Sequence, residues 1–141
     1  MMQIINCSKV HSTESLERVI KFCSSRAKWS ADTLLILNDR VIPGMYTDGI
    51  TKPGSYFIVT LHLSNGRLSY PYYMEPHVEE IGSVYIRSFQ EEVLFVLAHE
   101  LQHVADLYND NDRYTDHELE VRAEKTALKR LLSWRPLKVT L

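Results

Sequence analysis

Apolar residues recur at helical spacing in three stretches of the chain, which predict helices over about 12–27, 89–108 and 115–134. A serine or threonine opens each stretch and can cap the first turn. Ser88 and Thr115 are each followed three residues later by a glutamate, which is the spacing of a capping box. We therefore expect an N-terminal helix, a long central helix and a C-terminal helix that ends ahead of a proline.

Shorter apolar runs between the first two helices predict β-strands over about 33–37, 56–63 and 83–87. The middle run alternates apolar and polar side chains, as a half-buried strand does. It is followed by the Asn-Gly pair at 65–66, which is typical of a hairpin turn, so a return strand is expected over about 67–73.

The order of these elements predicts a small α+β fold with one mainly antiparallel sheet. Three turn-forming pairs at 43–44, 48–49 and 53–54 predict a long surface loop between two of the strands. Loops of this kind often border functional sites. With 141 residues, the chain fits a single domain that spans 1–141.

The composition is that of a globular chain, with 45% hydrophobic and 24% charged residues. The formal net charge of -2 gives no strong signal for nucleic acid, and no run approaches the roughly 18 apolar residues that span a bilayer. Cys7 and Cys23 are too few for a disulfide framework, which favours a reduced, cytoplasmic protein. Cys23 lies on the apolar stripe of the first helix, so we expect it in the core.

The sequence HELQH at 99–103 is an HExxH motif in the middle of the central predicted helix. A spacing of four residues puts the imidazoles of His99 and His103 on one helix face, where both can bind one Zn²⁺. Glu100 is rotated by about 100° from His99, so it can reach a metal-bound water as general base without binding the metal. The five residues alone are only fairly specific, and their context has to decide.

The last predicted helix carries two carboxylates, Glu120 and Glu124, on its apolar stripe. Glu118 and Arg122 fall on the opposite face, where they are spaced as a solvated ion pair. An unpaired buried carboxylate costs several kcal/mol, so a cation or hydrogen-bond donors should compensate the two on the stripe. Zinc with Glu120 as its third protein ligand would compensate one of them.

Together these residues resemble the gluzincin class of zinc metallopeptidases, in which HExxH is followed by a glutamate ligand on the next helix and by an acid four residues later. The stretch 83–132 is similar to the minimal zincin cores of SprT-like and ImmA/IrrE-like bacterial and phage proteins. Glutamate stands at 124, where aspartate is more common, and the basic zinc ribbon of many SprT-like proteins is missing. We therefore extend the resemblance to the core chemistry and not to a DNA-linked role.

The resemblance implies a zincin-like fold with an N-terminal helix, an HExxH active-site helix and a C-terminal ligand helix. It implies the following zinc ligands: His99, His103 and Glu120. It also implies that Glu100 is the general base and that Glu124 orients a ligand histidine from outside the coordination sphere, a role that zinc-bound imidazoles commonly require.

Other polar residues near the motif are weaker candidates. Asp106 lies near the ligand face of its helix and could support a ligand histidine, although an acid at a helix end is often structural. A hydrogen-bond donor to the transition state could come from Tyr108, Tyr114 or His117. The remaining histidines are expected to be solvated or structural: His11, His62 and His77.

The sequence therefore predicts a zinc-dependent peptidase that hydrolyses a peptide bond with a metal-bound water activated by Glu100. A protein or peptide substrate is expected, and an exposed strand could align it by backbone pairing. Two alternatives stay open: a noncatalytic zinc-binding or protein-interaction module with a degenerate metallopeptidase fold, and a chance HExxH on a metal-free helical protein. The substrate, any regulation of activity and the oligomeric state are left open.

Overall fold

The structure of the protein is a computed structural model. It describes the following residues, the last four by their backbone alone: 2–27, 32–42, 44–66, 68–75, 77–109 and 112–139. The elements follow in this order: β1 (Met2–Asn6), α1 (Thr13–Arg26), β2 (Thr33–Asp39), β3 (Asp48–Lys52), β4 (Phe57–Leu63), β5 (Tyr72–Met74), β6 (Val84–Ile86), α2 (Phe89–Tyr108) and α3 (Asp116–Val139). This confirms a small α+β fold, and none of the described helices is long and apolar enough to cross a membrane.

The larger sheet is mixed, so the prediction of one mainly antiparallel sheet was wrong. Its strand order is β1-β2-β4-β3, in which β1 and β4 both run parallel to β2 and only β3 runs antiparallel to its neighbour β4. Parallel neighbours need a long crossover, and α1 provides it between β1 and β2. β1 is mostly exposed and lacks an alternating pattern, so its pairing with β2 defines it as a strand.

The predicted hairpin after β4 was also wrong. Both edges of β4 are already paired, one with β2 and the other with β3, so no return strand can join it. β5 pairs instead with β6 in a separate two-stranded sheet. β3 occupies part of the stretch predicted as a surface loop, because the Asp-Gly pair at 48–49 opens a strand rather than a turn.

α2 is the central element, and most of its residues are buried, including charged ones. Its bounds are those that the sequence predicted, and Cys23 of α1 packs in the core as expected, where burial raises the pKa of its thiol to about 12. α3 also begins as predicted but continues past Trp134 and Pro136 to Val139. A proline removes one backbone hydrogen bond and does not by itself set the last residue of a helix.

Glu92 joins α2 to residues in or beside β3, β4 and β5, although it is completely buried at 0% exposure. Its Oε2 accepts hydrogen bonds from the backbone and hydroxyl of Thr47 and from the hydroxyl of Ser64, at 2.5–3.2 Å. Its Oε1 accepts from the hydroxyls of Tyr70 and Tyr72. Five donors thus compensate the buried carboxylate, and because Thr47 directly precedes β3, they fix where that strand begins.

We expect Glu92→Gln to lower the free energy of unfolding by about 2–3 kcal/mol, because an amide group turns one acceptor oxygen into a donor that faces other donors. Urea unfolding followed by circular dichroism measures the change. The matched control is Glu17→Gln on α1, an exposed residue whose contact with Lys21 at 4.0 Å contributes little. Equal losses in both variants would contradict the role of the Glu92 network.

Candidate metal centre

α2 and α3 bring the three predicted metal ligands together. Nε2 of His99 and Nε2 of His103 are 3.1 Å apart. The carboxylate of Glu120 reaches both, with one oxygen 3.2 Å from His99 Nε2 and the other 3.0 Å from His103 Nε2. Two imidazoles and a carboxylate therefore present their donor atoms to one small volume, where they could bind a metal ion.

The packing of α3 on α2 explains this convergence. Ala123, Ala127 and Leu131 of α3 are fully buried, and the two alanines allow α3 to lie close to its neighbour. Glu124 lies on the same stripe and is buried at 2% exposure, as the sequence predicted. The side chain of Glu120 lies at the margin of the stripe and stays 44% exposed, so it reaches the histidines from the solvent side.

Glu124 contacts the ring of His99 at Nδ1, whereas His103 and Glu120 lie at its Nε2. Its Oε1 is 2.8 Å from His99 Nδ1, and it is 3.0 Å from Nδ1 of His77, with which it forms a hydrogen bond. Burial opposes ionisation of Glu124, but the two histidines outweigh it and lower the pKa of its carboxyl to about 2. Glu124 is therefore a buried anion that faces the nitrogen a metal would leave unused.

His77 belongs to the site, which the sequence did not predict. Its hydrogen bond to Glu124 raises the pKa of the imidazole above the ordinary value, and its ring centroid is 5.7 Å from that of His99. His77 lies outside the helices, far from the motif along the chain, so no spacing pattern connects it with His99. Its part in the site arises only from the folding of the segment after β5 against α3.

Glu100 lies beside the convergence and not within it. Its Oε2 is 3.7 Å from His99 Nε2, farther than either oxygen of Glu120 is from the histidine nitrogen it contacts. Its other oxygen, Oε1, accepts a hydrogen bond of 2.8 Å from the hydroxyl of Thr51 in β3. Glu100 is near enough to form a possible metal-binding group with the two histidines, and His77, His99 and Glu124 form another. The shorter contacts of Glu120 with both histidine nitrogens favour it as the third ligand.

Asp106 connects the two helices. It is buried, and its Oδ1 is 2.9 Å from a guanidinium nitrogen of Arg122 and accepts a hydrogen bond from Gln102. The sequence suggested an ion pair between Arg122 and Glu118, but Arg122 pairs with Asp106 instead. Glu118 forms the predicted capping box with Thr115. The role that the structure gives Asp106 is to hold α3 against α2.

The centre opens into a cleft of about 790 Å³ between β3 and α2. Part of its wall is apolar, formed by these side chains: Met45, Tyr46, Met74, Phe95 and Val96. The three weak candidates for a transition-state donor are not among its lining residues: Tyr108, Tyr114 and His117. His117 pairs with Glu80 at 2.6 Å, and the hydroxyl of Tyr114 accepts hydrogen bonds from arginine side chains.

In the metal-free protein we expect the pKa of His77 to exceed 6.5, because the carboxylate of Glu124 stabilises the charged ring. The stability from this contact should be fully present below pH 6.5 and be lost as the pH rises through the raised pKa. Glu124→Gln should bring the pKa back toward 6.5, as measured by NMR titration of the histidine rings. Glu17→Gln is the control, and a pKa of His77 that both variants leave unchanged would contradict the contact.

Comparisons with known proteins found no match for this chain among protein-family models, curated proteins or solved structures.

Proposed function

We propose that this protein is a zinc-dependent peptidase in which Glu100 acts as the general base. The observation that carries the proposal is that Glu120 and Glu100 lie at different distances from the nitrogens of two histidines. Glu120 lies at 3.0–3.2 Å from both histidine nitrogens, whereas Glu100 is held just outside that group with one oxygen turned toward it. Such an arrangement separates the groups that hold a metal from the group that moves a proton.

The donor set fits zinc. Two imidazole nitrogens and one carboxylate oxygen form the His₂Glu set of many catalytic zinc sites, which keep a fourth position open. Ligands about 2.0–2.1 Å from a tetrahedral zinc are about 3.3–3.4 Å apart, and the two histidine nitrogens here are 3.1 Å apart, with a different oxygen of Glu120 at 3.0–3.2 Å from each of them. Calcium and magnesium prefer sites made of oxygen atoms alone. His99, His103 and Glu120 would therefore hold the ion, and Glu124 would orient the ring of His99.

Zinc bound there would act as a Lewis acid, which polarises a carbonyl group and makes water more acidic. The chain supplies the proton transfers. Glu100, when ionised, accepts the proton of the attacking water on Oε2 and returns it to the nitrogen of the leaving amine. Thr51 occupies the other oxygen, Oε1, so a single oxygen of the carboxylate faces the centre.

The cleft supports a peptide as substrate. β3 is the last strand of the larger sheet, and it lines the cleft beside Glu100. Its outer edge can pair with the backbone of an extended peptide, which would carry the scissile bond past the centre. The apolar wall of the cleft can then contact the side chains of that peptide.

Glu100→Gln should keep zinc but lower the rate of peptide hydrolysis by about 100- to 10,000-fold, because the amide cannot accept the proton. Zinc content is measured by mass spectrometry of the purified protein, and hydrolysis with fluorescein-labelled casein. His103→Ala should instead lose both zinc and activity, since it removes a ligand. The matched control for the charge change is Glu17→Gln.

Three results would oppose the peptidase mechanism. Equal activity of the wild type and Glu100→Gln would exclude Glu100 as the base. Loss of zinc from Glu100→Gln would make it a ligand or a structural residue. A zinc-loaded wild type that leaves labelled casein intact would favour the noncatalytic zinc-binding module.

Glu124→Ala should weaken zinc binding by about 10- to 100-fold, because the ring of His99 loses the carboxylate that orients it and increases its basicity. Competition with a chromogenic zinc chelator measures the dissociation constant. Glu17→Ala, which removes an exposed carboxylate of α1, is the control and should change the affinity little. An unchanged affinity in Glu124→Ala would remove Glu124 from the metal centre.

A further inference from the structure

Two residues of β3 lie against Glu100 on the same face of the sheet. Gly49 and Thr51 are separated by one residue, so both face α2, since alternate residues of a strand share a side. They pair with Leu61 and Val59 of β4, both of which are buried in the core. The part of β3 that contacts Glu100 is thus anchored on the interior of the larger sheet.

Thr51 determines which oxygen of Glu100 is free. Its hydroxyl is 2.8 Å from Oε1 and 3.3 Å from the backbone carbonyl oxygen of the same residue. A hydroxyl has one proton to donate, and the shorter contact, to the carboxylate oxygen, is the stronger one. Oε2 is left on the side of His99, at 3.7 Å from its Nε2.

Gly49 leaves room for the stem of Glu100. A Cβ at position 49 would lie 2.7 Å from Cγ of Glu100, well inside the roughly 3.5–4.0 Å at which carbon atoms pack. It would also lie 3.1 Å from side-chain carbons of Leu61 and Val96, so the space is closed on three sides. Any side chain at this position therefore has to displace Glu100 or the core beside it.

We infer that β3 sets the position of the general base, with Gly49 and Thr51 as positioning residues for Glu100. This inference rests on the proposed function, because it assigns a purpose to the orientation of a base. Gly49 fixes how closely the Glu100 side chain approaches the sheet, and Thr51 fixes its rotation, so that Oε2 faces the centre. The strand whose outer edge is proposed to align the peptide also orients the base that acts on it.

Substitutions at Thr51 separate positioning from packing. Thr51→Val keeps the shape of the side chain but removes the hydroxyl, whereas Thr51→Ser keeps the hydroxyl but removes the methyl group. Thr60→Val in β4 is the matched control, because Thr60 pairs with Ile50 and so lies on the other face of the sheet from Thr51. Gly49→Ala tests the close approach independently.

The experiment combines crystal structures of the zinc-loaded variants with kcat and KM for fluorescein-labelled casein. In Thr51→Val we expect the Glu100 carboxylate to rotate and kcat to fall about 10-fold, with KM and zinc content unchanged. Thr51→Ser should restore both the orientation and kcat, and Thr60→Val should change neither. In Gly49→Ala we expect Glu100 to shift and kcat to fall about 100-fold, the size of effect that a misplacement of about 1 Å can have.

The outcomes distinguish this inference from the proposed function. If the wild type cleaves casein and Thr51→Val retains its kcat, or Thr51→Ser fails to restore it, the positioning role is overturned while the peptidase proposal stands. If the wild type cleaves nothing, the proposed function fails, and the crystal structures still decide whether β3 orients Glu100. An unmoved Glu100 carboxylate in both Thr51→Val and Gly49→Ala would overturn the inference in either case.

Discussion

The burial of α2 is the constraint on which the rest of this structure depends. Polar groups of a helix enclosed by a sheet and other helices need partners inside the protein. α2 buries several acidic side chains and a histidine. Their partners come from α3, from β3 and from the segments around the other strands. Glu92 accepts hydrogen bonds from hydroxyl groups of the strands and loops, and Glu100 accepts one from Thr51 of β3. The ring of His99 lies against the carboxylate of Glu124 of α3. The partners of these side chains determine where the surrounding elements can lie.

The relation between α2 and α3 shows how such contacts define a site. Arg122, early in α3, binds Asp106 late in α2, and Arg135, late in α3, binds Glu91 in the first turn of α2. The two ion pairs tie the helices together in antiparallel orientation near both ends. Together they fix the register in which Glu120 reaches the HExxH histidines, so this centre depends on an ion pair beside it and on another at the far end of the two helices.

Local patterns were sufficient for the helices and for the acidic and histidine side chains that converge. A capping-box spacing and helical periodicity predicted α2, and the apolar stripe on α3 indicated Glu120 and Glu124. The sheet was different, because strand pairing depends on the path of the chain between strands: β1 has no pattern of its own. The Asp-Gly pair at 48–49 looked like a turn, since sequence cannot tell a glycine needed for a bend from one needed for a close approach.

Thr51 and His77 illustrate the same limit in the site itself. Each contributes through one hydrogen bond to an acid on a distant element, and neither stands at a spacing that relates it to that acid. Residue type alone gives no signal, because threonine is ordinary in a strand and histidine is ordinary in a loop. Residues that support an acid in this way can be identified only when the buried acids are known and the donor of each of their hydrogen bonds has been found.

The exposure of Glu120 has a consequence for how a metal ion would enter and leave the centre. Of the three converging side chains it alone is largely open to solvent, whereas the two histidines are enclosed by α2 and its neighbours. An ion held there would enter and leave through the cleft by a swing of one carboxylate, without separation of α2 from α3. A chelator would then reach the ion from the solvent side and displace this carboxylate before the two imidazoles.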